Sequence, residues 1–311
     1  MLSVEHSPEV TMVEATRYMR VQASVKPMRS DGATRISPLR SRARTSVEDL
    51  FRERQRMMAS ALHEERRPGL FVFAAHLEYG HVARMWLEAT PHPRAGLIGR
   101  HDEVDLALPL DDSLSLRHLM FVVRQREGAV HFVAIDLESN NGLQLESGAP
   151  IRLAEASGPL IVCASDFVFF CFPTGKPAPW NSESGNVWGT LAARHASRVE
   201  PRLLSCSSEP PAGRIELVSN FSVAAIGLST AALRRGVLMG RAERCEVSAP
   251  VMTVSRVHAV LLSLDDELLV IDAGSTNGTW RLDQEVRIAR LRDGDVLALG
   301  EEVTVAWRDA H

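Results

Sequence analysis

The same three short motifs occur twice along this chain, in the same order. The first set is Gly99-Arg100, Ser115-Leu116-Arg117-His118 and Ser139-Asn140-Asn141-Gly142, and the second is Gly240-Arg241, Ser255-Arg256-Val257-His258 and Ser275-Thr276-Asn277-Gly278. The arginine and the first serine are 15 residues apart in the first set and 14 in the second, and the interval from that serine to the aligned asparagine is 26 and 22 residues. Since the order is kept and the intervals differ only by loop-sized amounts, the repeat predicts one fold used twice.

Short strand-like segments, separated by polar or Gly/Pro breaks, surround both sets of motifs. In the first region they are 70–73, 84–88, 121–123, 131–135 and 167–170, and in the second 215–218, 236–239, 258–262, 268–271, 295–299 and 303–307. Many short strands with turn residues between them predict β-sandwiches. The apolar segment 159–172 is shorter than the roughly 20 residues of a membrane-spanning helix, and Asp166 interrupts it. Two adjacent buried strands explain this segment better.

The predicted fold class is therefore all-β, with two sandwich domains at 70–174 and 213–311 joined by a Pro-rich linker at 175–212. Residues 1–69 form a basic extension, since positions 1–67 hold 13 Lys and Arg against 9 Asp and Glu. Residues 1–44 are polar and aperiodic, which predicts disorder. A helix is predicted at about 46–66, because Thr45-Ser46-Val47-Glu48 has the form of a capping box and Pro68-Gly69 would end the helix.

The bulk composition narrows the class of protein. The net charge of −4 gives no general attraction to nucleic acid or to an anionic membrane, and neither is expected as a partner. The four cysteines show no metal-binding spacing, which predicts free thiols in a reducing compartment. No secretory signal is apparent at the N-terminus, so the expected location is the cytoplasm. Only Lys26 and Lys176 are lysines, and this preference for arginine favours a bacterial source.

The second set of motifs places a guanidinium, a hydroxyl and a carboxamide on three loops. Arg241 offers a fork of donors that matches phosphate oxygens, Ser255 offers a neutral donor, and Asn277 can hold a peptide backbone. No nucleophile lies beside a base, and Asp272 and Asp293-Gly294-Asp295 are explained better by turns than by a metal site. We therefore expect no catalytic residue, metal or cofactor. The set predicts a protein that recognises phosphate on a peptide.

At these residues the chain resembles the forkhead-associated (FHA) domain, whose motif runs Gly-Arg, Ser-Arg-x-His, Ser-x-Asn-Gly and then Leu-x-x-Gly-Asp with a late Gly. The C-terminal copy has every element, ending in Leu291-Arg292-Asp293-Gly294-Asp295 and Gly300. The resemblance covers 213–311 closely and 70–174 more loosely, and it does not extend to 1–69. It implies a β-sandwich whose loops bind phosphothreonine peptides, with a small pocket for the threonine methyl group that disfavours phosphoserine.

The resemblance also implies roles for individual residues of the C-terminal copy. Arg241 and Ser255 would hold the phosphate, and Arg256 would lie beside the phosphate or the peptide. Thr276 and Asn277 would contact the peptide and its backbone. The remaining motif residues are interpreted as structural: Gly240 and Gly278 as turn glycines with positive φ, and His258 as a hydrogen-bonded scaffold residue.

The N-terminal copy departs from this pattern. Leu116 stands where the motif has arginine, Arg117 is displaced by one position, and the Leu-x-x-Gly-Asp element is missing. A shift of one residue in an extended segment reverses the direction of a side chain, so Arg117 does not simply replace Arg256. Other motif positions are kept or replaced by similar groups: Arg100, Ser115, Asn140 and Asn141. These four residues define a candidate second site, with protein docking or a purely structural role as the alternatives.

The leading functional hypothesis is a signalling adaptor that binds phosphothreonine proteins made by a Ser/Thr kinase. A second hypothesis is self-association, because Arg42-Ala43-Arg44-Thr45-Ser46 resembles a basic-directed kinase site and Thr45 could be a phosphoacceptor. An unmodified helix-capping threonine is the alternative for Thr45. The competing classes are a phosphate-independent scaffold in a larger assembly and a DNA-binding regulator that uses the Arg-rich tail. An enzyme has the least support, since no phosphate loop or nucleophile motif occurs.

Overall fold

The computed structural model describes residues 45–80, 82–109, 112–176, 180, 187–192, 196–202, 209–220 and 222–310. By its internal contacts the chain divides into the units Met1–Ala33 and Thr34–His311. The first unit lies wholly outside the described residues, as do the disorder predicted for 1–44 and Cys206. The second unit contains both copies of the repeat.

The N-terminal copy is a sandwich made from one continuous eleven-stranded sheet that folds over on itself. Its main order is β2-β1-β10-β9-β7-β8-β6-β5-β3-β4, and β11 pairs with β8. The strands are β1 (Gly69–His76), β2 (Val82–Glu88), β3 (Arg94–Gly99), β4 (Leu106–Ala107), β5 (Leu119–Arg126), β6 (Ala129–Asp136), β7 (Leu143–Leu145), β8 (Pro150–Ala156), β9 (Leu160–Ala164), β10 (Phe167–Thr174) and β11 (Arg198–Pro201). The predicted buried strands within 159–172 are β9 and β10.

The C-terminal copy is a sandwich of a six-stranded sheet, β13-β12-β22-β21-β18-β19, and a five-stranded sheet, β15-β14-β16-β17-β20. Its strands are β12 (Pro211–Ser219), β13 (Val223–Ser229), β14 (Val237–Gly240), β15 (Val247–Ser248), β16 (Ala259–Leu264), β17 (Glu267–Asp272), β18 (Thr279–Arg281), β19 (Gln284–Glu285), β20 (Ile288–Leu291), β21 (Val296–Leu299) and β22 (Val303–Asp309). Alternate residues such as Ile215 and Leu217 point into the core between the sheets. The predicted pair of β-sandwiches is confirmed.

The outer face of the N-terminal sandwich is covered by helices. Helix α1 (Val47–Glu64) and helix α2 (Trp188–Ala192) pack, together with Trp180, on the outward-facing phenylalanines of β1 and β10. Ser46, not Thr45, caps α1: its Oγ accepts the Asp49 N–H at 3.0 Å. The helix cap therefore lies one residue later than predicted. Parts of the 175–212 segment are also more ordered than its composition predicts, since β11 extends the N-terminal sheet and α2 is buried.

The two sandwiches pack against each other through equivalent faces. The apolar contact is formed by the outward residues of β3, β5 and β6 in one copy and of β14, β16 and β17 in the other. Met120 pairs with Ile135 across the N-terminal strands, and Val260 pairs with Ile271 at the same register in the C-terminal copy. All four side chains are fully buried. Each copy thus contributes its equivalent strands to the interface, which gives the interface an approximate two-fold symmetry.

Ion pairs at the edges of this interface repeat the symmetry. Asp105 accepts the Leu97 N–H at 2.7 Å and pairs with Arg287 of the other copy. The equivalent carboxylate of Glu246 accepts the Leu238 N–H at 2.8 Å, and it lies 3.9 Å from the guanidinium of Arg152. A third helix, α3 (Thr230–Arg235), follows β13 at the same junction. The apolar face and these reciprocal pairs join the two copies into one structural unit.

Candidate functional site

The loops of the C-terminal copy are held together by a buried histidine. The Ser255 N–H donates to His258 Nδ1 at 3.2 Å, and His258 Nε2 lies 3.0 Å from the Gly278 carbonyl oxygen. Because Nδ1 accepts, the proton of the neutral ring is on Nε2, which donates to Gly278. Burial lowers the pKa of His258 below its ordinary value, while the bond to Gly278 and the Asp272 carboxylate oppose that shift. A neutral imidazole therefore links the serine loop to the asparagine loop.

Ser255 and Asn277 complete the link between these two loops. Ser255 Oγ accepts the Thr276 N–H at 3.1 Å, and Asn277 Nδ2 donates to the Thr253 carbonyl oxygen at 2.8 Å. The indole of Trp280 donates to the Asn277 carbonyl oxygen at 2.9 Å. Within the described residues, no partner is found for the Ser255 hydroxyl proton or the Asn277 side-chain oxygen, which are therefore available to a ligand.

The two motif glycines, Gly240 and Gly278, are required for different structural reasons. Gly278 has φ of +73°, as predicted for a turn glycine, but Gly240 does not adopt positive φ, so that interpretation was wrong for Gly240. Instead, a Cβ at Gly240 would lie 2.2 Å from the Arg256 carbonyl oxygen. Close approach of two backbone segments therefore excludes a side chain at this position. It also allows the Arg241 N–H to donate to the Ser255 carbonyl oxygen at 3.0 Å.

Asp272, interpreted from the sequence as a turn residue, orders the start of the asparagine loop. Its carboxylate accepts the Ser275 N–H at 2.7 Å and the hydroxyls of Ser275 and Thr279, each at 2.6 Å. Thr253 and Trp280, which also support this loop, were not singled out from the sequence, because neither belongs to a recognisable motif. Among the described residues, no group of three or more His, Cys, Asp or Glu side chains could hold a metal ion.

The two arginines of the C-terminal motif are exposed around Ser255. Within the described part of the chain, neither the Arg241 nor the Arg256 guanidinium has a hydrogen-bond or ion-pair partner. Glu302, a nearby acid, accepts instead from the Thr253 hydroxyl at 2.8 Å. The loops therefore present two uncompensated cations, a free hydroxyl proton and a carboxamide oxygen, which is a donor-rich surface suited to an anion.

The N-terminal copy keeps the same frame. The Ser115 N–H donates to His118 Nδ1 at 3.1 Å, and His118 Nε2 lies 3.2 Å from the Gly142 carbonyl oxygen. Ser115 Oγ accepts the Asn140 N–H at 3.1 Å, and Asn141 Nδ2 donates to the Ser113 carbonyl oxygen at 2.8 Å. The structure thus brings the four candidate second-site residues together in the arrangement of the C-terminal copy.

The cations of the N-terminal copy are arranged differently. Arg100 Nε donates to the Leu114 carbonyl oxygen at 3.2 Å, and its Nη1 lies 3.1 Å from the Asp112 carboxylate. Three residues before the serine, where Asp112 stands, the C-terminal copy has Met252. Leu116, 41% exposed, occupies the position of Arg256. Among the positions of the N-terminal motif that face the loops, Arg100 is therefore the cation, and it is paired with a carboxylate. Arg202, from outside the motif, donates to the Ser139 carbonyl oxygen at 2.7 Å.

The FHA domain family model matches residues 96–155 and 237–300. These ranges contain the two frames described above, and the chain contains two FHA domains in tandem. No curated protein is similar enough to this chain to count as a match. No helix in the described part of the chain has the length and apolar character needed to cross a membrane.

Several solved structures align with about a third of this chain. The Slr1951 protein from Synechocystis sp. is 24% identical, aligned over 32% of this chain and 99% of its own, with a TM-score of 0.29. The FhaA FHA domain complexed with the intracellular domain of Rv3910 is 27% identical over 31% of this chain and 99% of its own, with a TM-score of 0.27. Mycobacterium tuberculosis EmbR in complex with a low affinity phosphopeptide is 21% identical over 31% of this chain and 24% of its own, with a TM-score of 0.27.

Proposed function

We propose that the C-terminal FHA domain binds phosphothreonine peptides and that the chain is an adaptor acting downstream of a Ser/Thr kinase. The main support is that Arg241 and Arg256 are exposed on the loops that meet at Ser255 and that, within the described residues, neither guanidinium has a partner. FHA domains are protein-interaction modules, so the partners are phosphothreonine proteins rather than small substrates.

In this proposal Arg241 and Ser255 hold the phosphate, and Arg256 adds charge beside it. Thr276 and Asn277 contact the peptide, since Asn277 keeps its side-chain oxygen free for a backbone N–H. Phosphothreonine carries about −1.5 to −2 charge at neutral pH, and each hydrogen bond to a charged group contributes about 1.5–3 kcal/mol. A few such bonds, offset by the cost of association, give roughly micromolar affinity, which suits a reversible contact.

The N-terminal FHA domain does not bind phosphate in this proposal. The Asp112 carboxylate already occupies Arg100 at 3.1 Å, and a phosphate there would meet a like charge. Its role is to support the C-terminal domain through the shared interface. The location proposed for the protein is the cytoplasm, because the three described cysteines, Cys163, Cys171 and Cys245, are free thiols.

The test compares two matched substitutions in the full chain. Arg241→Ala and Arg100→Ala remove the same motif residue from the C-terminal and the N-terminal copy, respectively. We expect the wild-type chain to bind peptides from a degenerate phosphothreonine library, Arg241→Ala to lose at least about tenfold in affinity, and Arg100→Ala to bind like the wild type. Equal binding by Arg241→Ala would contradict the proposal and favour a phosphate-independent scaffold.

Self-association through Thr45 remains a subordinate hypothesis. Thr45 immediately precedes the helix cap at Ser46, so a phosphate there would lie near the positive end of α1. A synthetic Thr45 phosphopeptide that fails to bind the full chain would exclude it. The DNA-binding alternative depends on the Arg-rich tail, of which residues 1–44 lie outside the described part of the chain, and it requires salt-dependent retention of DNA by residues 1–69.

A further inference from the structure

Arg117, the arginine displaced within the N-terminal motif, points into the interface between the two FHA domains. Its neighbour Leu116 is exposed, whereas Arg117 is half-buried. The equivalent residue of the C-terminal copy is Val257, which packs against the apolar interface cluster. The one-residue shift therefore moves the guanidinium from the N-terminal binding loops to the other domain.

The place that Arg117 reaches is the start of the C-terminal asparagine loop. Gly274 has φ of +71°, and a Cβ there would lie 2.8 Å from Leu97 Cδ1 and 3.2 Å from Arg117 Nε. The loop that carries Thr276 and Asn277 thus rests on two side chains of the N-terminal domain.

The reciprocal position of the N-terminal copy does not have this arrangement. There the residue equivalent to Gly274 is Glu138, whose carboxylate lies 3.0 Å from Arg152 and 3.9 Å from Arg244. The symmetry of the interface is therefore broken at the point where it meets the binding loops. The motif arginine Arg117 reaches the C-terminal loop, whereas its counterpart is Val257 and the cation that reaches the N-terminal loop, Arg244, comes from outside the motif.

Arg117 brings a half-buried charge to this region. Burial lowers the pKa of its guanidinium, the carboxylates of Asp272 and Glu103 oppose this shift, and the nearby charge of Arg256 adds to it. An arginine remains cationic under such conditions. In the part of the chain that the structure describes, no hydrogen-bond partner is found for this guanidinium. Arg117 thus adds a third positive charge beside the loops of Arg241 and Arg256.

We propose that Arg117 is a positioning residue of the C-terminal phosphopeptide site, supplied by the neighbouring FHA domain. It supports the Gly274–Asn277 loop and adds positive charge next to Arg256. This inference rests on the proposed function of the C-terminal domain. It makes the tandem one binding unit, in which the N-terminal copy has given up its own phosphate site and contributes an arginine to the other.

The experiment uses the full chain with the substitutions Arg117→Ala, Arg117→Lys and Arg117→Met. Affinity is measured with the tightest-binding peptide from a degenerate phosphothreonine library, and amide hydrogen exchange of 275–278 is measured without peptide. The control is Arg126→Ala, which removes another cross-domain contact, 2.7 Å to Asp265, at the opposite end of β17.

Arg117→Ala should weaken peptide binding about three- to tenfold, as expected for the loss of a cation several ångströms from a dianion, and should speed exchange in the loop. Arg117→Lys should restore part of the affinity because it keeps the charge, and Arg117→Met should restore slow exchange because it keeps the packed stem. Arg126→Ala should match the wild type in both measurements.

Wild-type affinity and exchange in Arg117→Ala would overturn the inference, as would an equal loss in Arg126→Ala, which would indicate general loosening of the interface. If the wild-type chain binds no phosphothreonine peptide, the proposed function fails by itself. The exchange measurement then decides the positioning role: unchanged exchange of 275–278 in Arg117→Ala overturns it, and faster exchange supports it.

Discussion

The two FHA domains share a frame of backbone bonds but differ in the charges placed on it. In both, a buried histidine links the serine loop to a glycine carbonyl, and the serine Oγ accepts the next loop's N–H. Arg100 is paired with Asp112, whereas the C-terminal copy has an uncharged, 82% exposed Met252 at the position of Asp112. The comparison shows that the same frame of hydrogen bonds can hold loops whose charges differ, and that the difference comes partly from residues outside the motif.

The outer sheets of the two domains also differ in polarity. The N-terminal face of β1 and β10 is aromatic and covered by α1 and Trp180. The corresponding face of β12 and β22 carries ion pairs, with Arg214 and Arg308 on Glu216 at 2.8 and 3.3 Å. The N-terminal domain is therefore buried on both faces, by helices on one side and by its partner domain on the other. Its packing suits a supporting role.

The largest expected effect concerns the interface itself. Leu262 is fully buried in the apolar contact between the domains, and Leu262→Ala should destabilise the chain by about 2–5 kcal/mol through lost burial and a cavity. Because the two domains share this face, β5 and β6 of the N-terminal copy should lose protection as well. Denaturant unfolding with hydrogen exchange of both copies measures this effect.

The control for Leu262→Ala is Leu261→Ala on the same strand. Leu261 faces the core of the C-terminal sandwich and is equally buried. Leu261→Ala should lower the free energy of unfolding by a similar amount. Under native conditions, however, the amide protection of β5 and β6 should stay closer to that of the wild type. Two separate unfolding transitions, with only the C-terminal one shifted by Leu262→Ala, would contradict the view that the copies fold as one unit.

A smaller effect, on peptide affinity, is expected when the negative charge of Asp112 is introduced at the equivalent position of the C-terminal domain. Met252→Asp places a carboxylate where Asp112 stands in the N-terminal copy, and it should pair with Arg241. Phosphothreonine peptide affinity should fall about ten- to a hundredfold, since one cation is neutralised and a like charge is added beside the phosphate. Titration calorimetry with the full chain measures this loss. Met252→Asn, of similar size but neutral, is the control, and an equal loss in Met252→Asn would show that charge is not the cause.

The sequence was sufficient to predict the fold and the shared frame, because short alternating strands and fixed motif spacings reflect local geometry. The interface was missed, although continuous apolar runs such as Val260-Leu261-Leu262 are typical of strands buried on both faces. The pairing of Arg100 with Asp112 was also missed, since it joins side chains on two different loops and Asp112 belongs to no motif. The helix cap was displaced by one residue because Thr45 and Ser46 are both capping residues.

The smallest effect concerns the two buried histidines, His118 and His258, which have different hydrogen-bond partners although the two frames otherwise match. His118 has an additional partner, Ser139 Oγ at 2.9 Å, whereas only the Ser255 N–H and the Gly278 carbonyl are described as hydrogen-bonded to the ring of His258. Burial lowers the pKa of His258, so the folded state favours the neutral ring. Its stabilising contribution is complete above the unfolded pKa of about 6.5 and is lost as the pH falls through the lower folded value.

Protonation of His258 would remove the acceptor at Nδ1 and break the bond from Ser255, so acid should loosen the serine loop before it unfolds the sandwich. We expect the stability of the unliganded chain to fall between pH 7 and pH 5 by no more than about 1.4 kcal/mol per pH unit from this group, the limit for one proton. His258→Gln keeps a donor and an acceptor without titrating, and its difference from the wild type isolates the histidine from the carboxylates. Parallel pH profiles for the two proteins would assign the acid sensitivity elsewhere, and faster exchange of the Ser255 amide at low pH in the wild type alone would locate it in the frame.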